Sequence, residues 1–197
     1  MEAMRSLPPA LKYSLIFFIA LACLGGGYRL ILLATGNFHT VVPGELYRAA
    51  RPSPQELISY VKQHGIRTVL NLRGSNPQKR WYQQEESTAK ELGLKLINLP
   101  LNSRHELNAN EMDELISLMR NAPKPILIHC QAGADRSALA SALYLFGIKH
   151  TSPQEADAQF SLLFGHLPFS FSKAYAMDRS FAAYTEHNAM LTKLAEK

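Results

Sequence analysis

A single apolar run decides where the globular part of this chain can begin. From Tyr13 to Ala34 the sequence reads YSLIFFIALACLGGGYRLILLA, broken only by Gly25-Gly26-Gly27 and by Tyr28-Arg29. A helix of that length spans about 33 Å, close to the hydrocarbon thickness of a bilayer. Arg29 stands near one end, where a long side chain can snorkel to the interface. The run therefore predicts an N-terminal membrane anchor over residues 1–35 and a separate domain over 36–197. A cleaved signal is the alternative, because Ala20-Leu21-Ala22 has the small-residue spacing of a cleavage site; a lipoprotein reading through Cys23 fits the expected motif poorly. Arg5 and Lys12 precede the run, which puts the N-terminus in the cytoplasm and the domain on the far side, periplasmic or extracytoplasmic.

The body is that of one α/β domain. With 47% hydrophobic and 19% charged residues it is neither disordered nor low-complexity, and two cysteines exclude a disulfide framework or an all-cysteine metal site. Setting aside three basic residues and one acidic residue in the first 35, the rest holds 18 basic against 15 acidic residues. That excess is too small and dispersed for nucleic acid and fits an anionic substrate. Strand-like Glu45–Arg48, Ile66–Leu72, Leu94–Leu99 and Pro125–His129 alternate with helical segments. Ser53-Pro54-Gln55-Glu56 reads as a capping box with Gly65 as the stop, and Trp81–Leu92 ends at Gly93. Asn108 or Asn110 caps a helix through Met119, with Leu115, Ile116, Leu118 and Met119 inward. Helices are also predicted over Arg136–Phe146, Pro153–Phe164 and from Tyr175 onward. The alternation predicts a mostly parallel central sheet flanked by helices.

The chemistry concentrates in residues 125–138, PILIHCQAGADRSA. A buried strand ends at His129, a loop follows, and a helix starts at once. Cys130 then sits at a sheet edge beside a helix N-terminus, where free N–H groups and the helix dipole favour a thiolate and a bound anion. Gln131, Ala132, Gly133, Ala134, Asp135, Arg136 and Ser137 would form a cradle for one tetrahedral oxyanion. Gly133 lets the loop wind, and Arg136 adds a bidentate fork. Ser137 can donate to the sulfur. Arg73, ending a strand at the ligand-binding edge of such a sheet, can support the site. Arg48 and Arg51 read as structural or surface residues, and Asp178-Arg179 as an ion pair packed on the core. No metal-ligand spacing or nucleotide fingerprint is present, so no cofactor is implied.

The motif H-C-x-x-G-x-x-R-S resembles the signature of the cysteine-dependent protein tyrosine phosphatase superfamily, in its bacterial dual-specificity-like branch. Leu46-Tyr47-Arg48-x-x-Arg51-Pro52 and Gly65–Arg73 are similar to the corresponding upstream segments, and the resemblance runs from about Asn37 to Gly147. It implies Cys130 as nucleophile, Arg136 as the phosphate and transition-state ligand, Ser137 as donor to the leaving thiolate, and His129 as a residue tuning the cysteine. The family's general-acid Asp has no counterpart in Asn98–Ser103. Glu106, just beyond, and Asp135, inside the loop, are the candidates, while Asp113 reads as a solvent-face helix residue. The expected function is phosphomonoester hydrolysis through a phosphocysteine on a membrane-anchored enzyme acting on a phosphorylated protein, lipid or small ester. A phosphate-binding module without efficient catalysis is the alternative, and a sulfurtransferase fits the loop poorly.

Overall fold

The computed structural model describes residues 8–167 and 169–195. Arg5, on which the orientation expectation partly rests, lies outside them. The described residues fall into two units divided between Thr35 and Gly36. The first is a single helix, α1 (Pro9–Ala34), which runs unbroken through the three glycines. It is apolar on all sides and leaves Phe17, Phe18, Leu24 and Leu30 exposed. With a mean hydropathy of 2.1 it is long and apolar enough to cross a membrane, criteria that a signal sequence also meets.

The second unit is built on a five-stranded mixed sheet in the order β1-β2-β5-β3-β4. Its strands are β1 (His39–Val42), β2 (Leu46–Ala49), β3 (Thr68–Asn71), β4 (Lys95–Asn98) and β5 (Ile126–His129). The last four run parallel; β1, a short segment the sequence did not announce, adds antiparallel to the edge. The helices are α2 (Pro54–His64), α3 (Arg80–Glu91), α4 (Ala109–Asn121), α5 (Asp135–Gly147), α6 (Pro153–Asp157) and α7 (Ala176–Ala195). The capping boxes of Ser53 with Glu56 and Asn108 with Glu111 are formed, and Gly65 closes α2 in the left-handed conformation. The strands alternate their side chains between two cores. Leu46, Leu70, Ile126 and Ile128 pack with residues of α4, α5, α6 and α7, whereas Tyr47, Ala49, Val69 and Leu127 pack with Leu57 of α2 and with Leu92 and Leu94. On α4, Met112 joins Leu115, Ile116 and Met119 in the core, and Leu118 is only partly buried.

Two expectations are corrected here. The helix predicted over Pro153–Phe164 stops at Asp157, and a separate 3-10 turn forms at Leu162–Phe164. Continuing the helix would need the Gln159 carbonyl for Leu163 N–H. Instead Gln159 O accepts from Arg48 Nη1 at 3.0 Å, and Leu163 N–H donates to Ser161 Oγ. Asp178 and Arg179 do not pair with one another. At the start of α7 they reach in different directions, to His166 and to Glu106.

Candidate active site

The parallel register sets the site. Ala49, His129 and Asn71 stand abreast across β2, β5 and β3, so the chain leaves all three strands at the same carboxyl edge. Cys130 emerges from the middle strand, 3% exposed, and α5 begins five residues later.

The carbonyl groups of the intervening loop are all committed. Gln131 O accepts from Arg51 N–H at 3.4 Å, and Ala132 O from Asn37 Nδ2 at 2.7 Å. Gly133 O and Ala134 O accept from Arg48 Nη2 at 2.8 and 2.9 Å. With the carbonyls held on one side, the N–H groups face the other, and those of residues 131–136 have no hydrogen-bond partner among the described residues. An inward ring of free amides at a helix start is an anion cradle. Gly133 makes the winding possible. Its φ is +70°, and a Cβ there would fall 2.6 Å from Ala49 C and Ala50 N.

Arg48 is the strut beneath the cradle. It is fully buried, and its other nitrogen, Nη1, also donates to Gln159 Oε1 while the guanidinium lies 4.4 Å above Phe164. Burial lowers its pKa to about 10, against the raising influence of Cys130 and Asp135, so it stays charged at neutral pH. Asn37, held at φ 43°, donates from Nδ2 to Phe164 O at 2.9 Å as well as to the loop, and its Oδ1 accepts from His39 Nε2 at 2.8 Å.

Arg136 reaches across the edge: Nη1 donates to Leu72 O and Leu101 O, both at 3.2 Å. It thereby ties α5 to the ends of two strand-exit loops, with Nη2 and Nε carrying no hydrogen bond to a described residue. Ser137 Oγ is buried without a hydrogen-bond partner, so the expected bond to sulfur is not formed in this structure. His129 is fully buried; Nδ1 lies 3.3 Å from Cys130 O and Nε2 2.5 Å from Glu85 Oε1, an ion-pair approach without hydrogen-bond alignment.

The acid candidates diverge. Asp135 Oδ1 meets His166 Nδ1 at 2.8 Å, and the opposite ring nitrogen meets Asp178. Burial alone would lower the His166 pKa, but the two carboxylates outweigh it and push it up to about 9. Glu106 lies on the exposed loop after β4 and pairs with Arg179 Nε at 2.5 Å. Asp113 is not simply solvated: it accepts from Tyr184 OH. It also lines a cleft of about 560 Å³ with Arg120, Phe146 and Asn188 that includes none of the loop residues.

Arg73, one residue past Leu72, lies with its guanidinium 3.8 Å over Trp81, and Arg51 stands 5.7 Å from the same ring. Sequence reasoning missed Asn37, Glu85, Trp81 and His166. Glu85 had a signal, a carboxylate sharing the inward spacing of Tyr82 and Ala89 on α3. The others act through long-range contacts that leave no local pattern.

A family model described as "PTP-SAK: Swiss Army Knife protein, DSP-PTPase phosphatase domain" matches residues 35–187. No curated relative matches the chain. Among solved structures, P. aeruginosa TpbA in complex with pTyr is 20% identical at a TM-score of 0.57, over 77% of this chain and 91% of that one. PTPMT1 in complex with PI(5)P is 17% identical at 0.58, over 77% and 98%. The active form of Tk-PTP is 15% identical at 0.56, over 74% and 95%. At these identities the likeness to the solved structures is one of fold.

Proposed function

Because the chain belongs to the family of Swiss Army Knife DSP-PTPase phosphatase domains, we propose that it hydrolyses phosphomonoesters through a phosphocysteine on Cys130. The observation that carries this reading is the cradle itself: every carbonyl from Gln131 to Ala134 is held outward, and the amides of residues 131–136 are left free around the end of β5. The phosphate oxygens bind to the N–H groups of residues 131–137, and Arg136 turns its free Nη2 and Nε toward them. The Cys130 thiolate attacks phosphorus in line, the P–O ester bond breaks, and the departing oxygen takes a proton. Water then attacks the phosphocysteine, the S–P bond breaks, and phosphate leaves as the thiolate is restored. Ser137, with an unused buried hydroxyl, donates to sulfur in that second step. His129, set between Cys130 O and Glu85, positions the start of the loop.

Glu106 is assigned the proton. Its pair with Arg179 is exposed on both sides, and exposed pairs are worth only about 0–1 kcal/mol, so substrate can release it. Asp135 is instead engaged by a buried imidazole flanked by a second carboxylate, which suits it to fixing the loop against α7. The complexes of TpbA with pTyr and of PTPMT1 with PI(5)P both hold phosphomonoesters and support a phosphorylated substrate here. The N-terminal helix is assigned as an uncleaved single-pass anchor for the domain of residues 36–197, which faces away from the cytoplasm.

The test uses the full chain in detergent. Phosphate release from p-nitrophenyl phosphate should vanish in Cys130→Ser while vanadate binding survives, and acid quenching of the wild type should yield phosphorylated Cys130 by mass spectrometry. Near-wild-type turnover in Cys130→Ser would overturn the covalent mechanism. Arg136→Lys should lose most of the rate, since an ammonium cannot supply the planar fork.

A further inference from the structure

Three guanidinium groups gather at the carboxyl edge of the sheet, and the mechanism above uses one. Arg51 and Arg73 stand two residues past Ala49 and Asn71, the register partners of His129 in β2 and β3. Each is tied to the cradle by backbone: Arg51 N–H donates to Gln131 O, and Arg73 follows the Leu72 carbonyl that accepts from Arg136. Both side chains converge on Trp81 at the start of α3, at 5.7 and 3.8 Å. A guanidinium stacked on an indole face is held in orientation while its edge N–H groups stay available.

The cluster is short of negative charge. Arg73 Nη1 is buried without a hydrogen-bond partner. The acidic group that reaches it, Glu85, is already against His129. Burial, then Arg51 and Arg136, lower the Arg73 pKa from its ordinary value, with Cys130 and Glu85 acting the other way. Like charges braced this close are unfavourable until an anion sits among them.

We propose that Arg51 and Arg73, braced on Trp81, form a second anion position beside the phosphate cradle, so that a substrate carrying a second phosphate next to the one removed, as a vicinal bisphosphate does, is preferred. The inference rests on the phosphatase reading above. A phosphate suits the site because two oriented guanidinium forks match its oxygens bidentately. The same vicinal bisphosphate occurs free and as a lipid headgroup.

The experiment measures kcat/KM of the full chain in detergent for an inositol monophosphate and a vicinal inositol bisphosphate. A parallel arm uses the corresponding phosphatidylinositol phosphates in mixed micelles. Wild type should favour the bisphosphate by about tenfold or more, chiefly through KM. Arg73→Gln and Arg51→Gln should each bring the ratio toward one, and Arg73→Lys should keep part of it; a general loss of activity cancels in the ratio. Loss of the preference in either arm supports the subsite, and the arm that carries it identifies the source. A wild-type ratio near one in both arms, or a ratio that survives both glutamine variants, overturns it. If no ester at all is hydrolysed, that failure belongs to the phosphatase reading. Calorimetric titration of the Cys130→Ser protein with the same soluble pair then decides the subsite by whether Arg73→Gln removes the affinity ratio.

Discussion

Arg48 shows how much of the proposed phosphate loop depends on a residue buried beneath it. It donates to four acceptors, two of them loop carbonyls, from a fully buried position. Replacing it with Met strands Gly133 O and Gln159 O, while Ala134 O keeps the Ala138 N–H, at about 1–3 kcal/mol for each group stranded. Arg48→Met should therefore lose several kcal/mol in urea unfolding. Arg48→Lys, which keeps the charge but not the fork, should still lose most phosphate affinity by vanadate titration. Gly133 and Gly93 make a matched pair at the same scale. Both have φ near +70°, but a Cβ at Gly93 meets open space, whereas at Gly133 it meets the backbone of Ala49. Gly93→Ala should cost about 1 kcal/mol for conformation alone. Gly133→Ala should cost clearly more and abolish vanadate binding, because the backbone after β2 cannot yield as a flexible side chain would.

Among the elements, α7 is the one whose placement matters most to the site. From its first turns Asp178 holds His166 against the cradle's Asp135, Arg179 holds Glu106, and Ser180 Oγ accepts from Leu107 N–H at 2.9 Å. Both loops that the mechanism needs are thus tied to one helix start. The Glu106 assignment predicts a differential effect, since a positioned acid gives about 10²–10⁴-fold and matters most for poor leaving groups. Glu106→Gln should fall far more on phenyl phosphate than on p-nitrophenyl phosphate; if Asp135→Asn shows that pattern instead, the proton comes from the loop. His166 predicts a pH dependence. Its folded pKa of about 9 lies above the ordinary 6.5, so its contribution is fully present below about pH 6.5 and is lost as pH rises through 9. The contribution is on the order of 3 kcal/mol. Unfolding free energy should decline from pH 7 to 10 in wild type, and the decline should flatten in His166→Gln; an unchanged slope would refute the charged bridge.

For the whole molecule, the proposed anchor makes a topological prediction. A reporter active only outside the cytoplasm should work when fused after Lys197, and the full chain should stay with membranes through a high-salt wash. A soluble product starting near residue 23 or 28 would establish a cleaved signal instead. Much of the architecture was legible in the sequence, because helix starts, strand runs and the Cys130–Arg136 loop are written in neighbouring residues. Ser53 with Glu56 and the stop at Gly65 formed as their local pattern implied, and of the two asparagines offered as a cap it is Asn108 that serves. The helix from Pro153 to Phe164 did not: the chain tightens into turns after Asp157, and Gln159 O pairs with a buried arginine more than a hundred residues upstream. The same reason separates the rest. Composition and spacing determined by themselves that a cysteine loop would stand at a parallel sheet's edge after an apolar N-terminal helix. Which side chains hold that loop was decided only when the strands paired in register. Pairing brought Asn37, Arg48, Arg51 and Arg73 to one edge, and the packing of α7 carried Asp178 and Arg179 to partners that sequence distance had hidden.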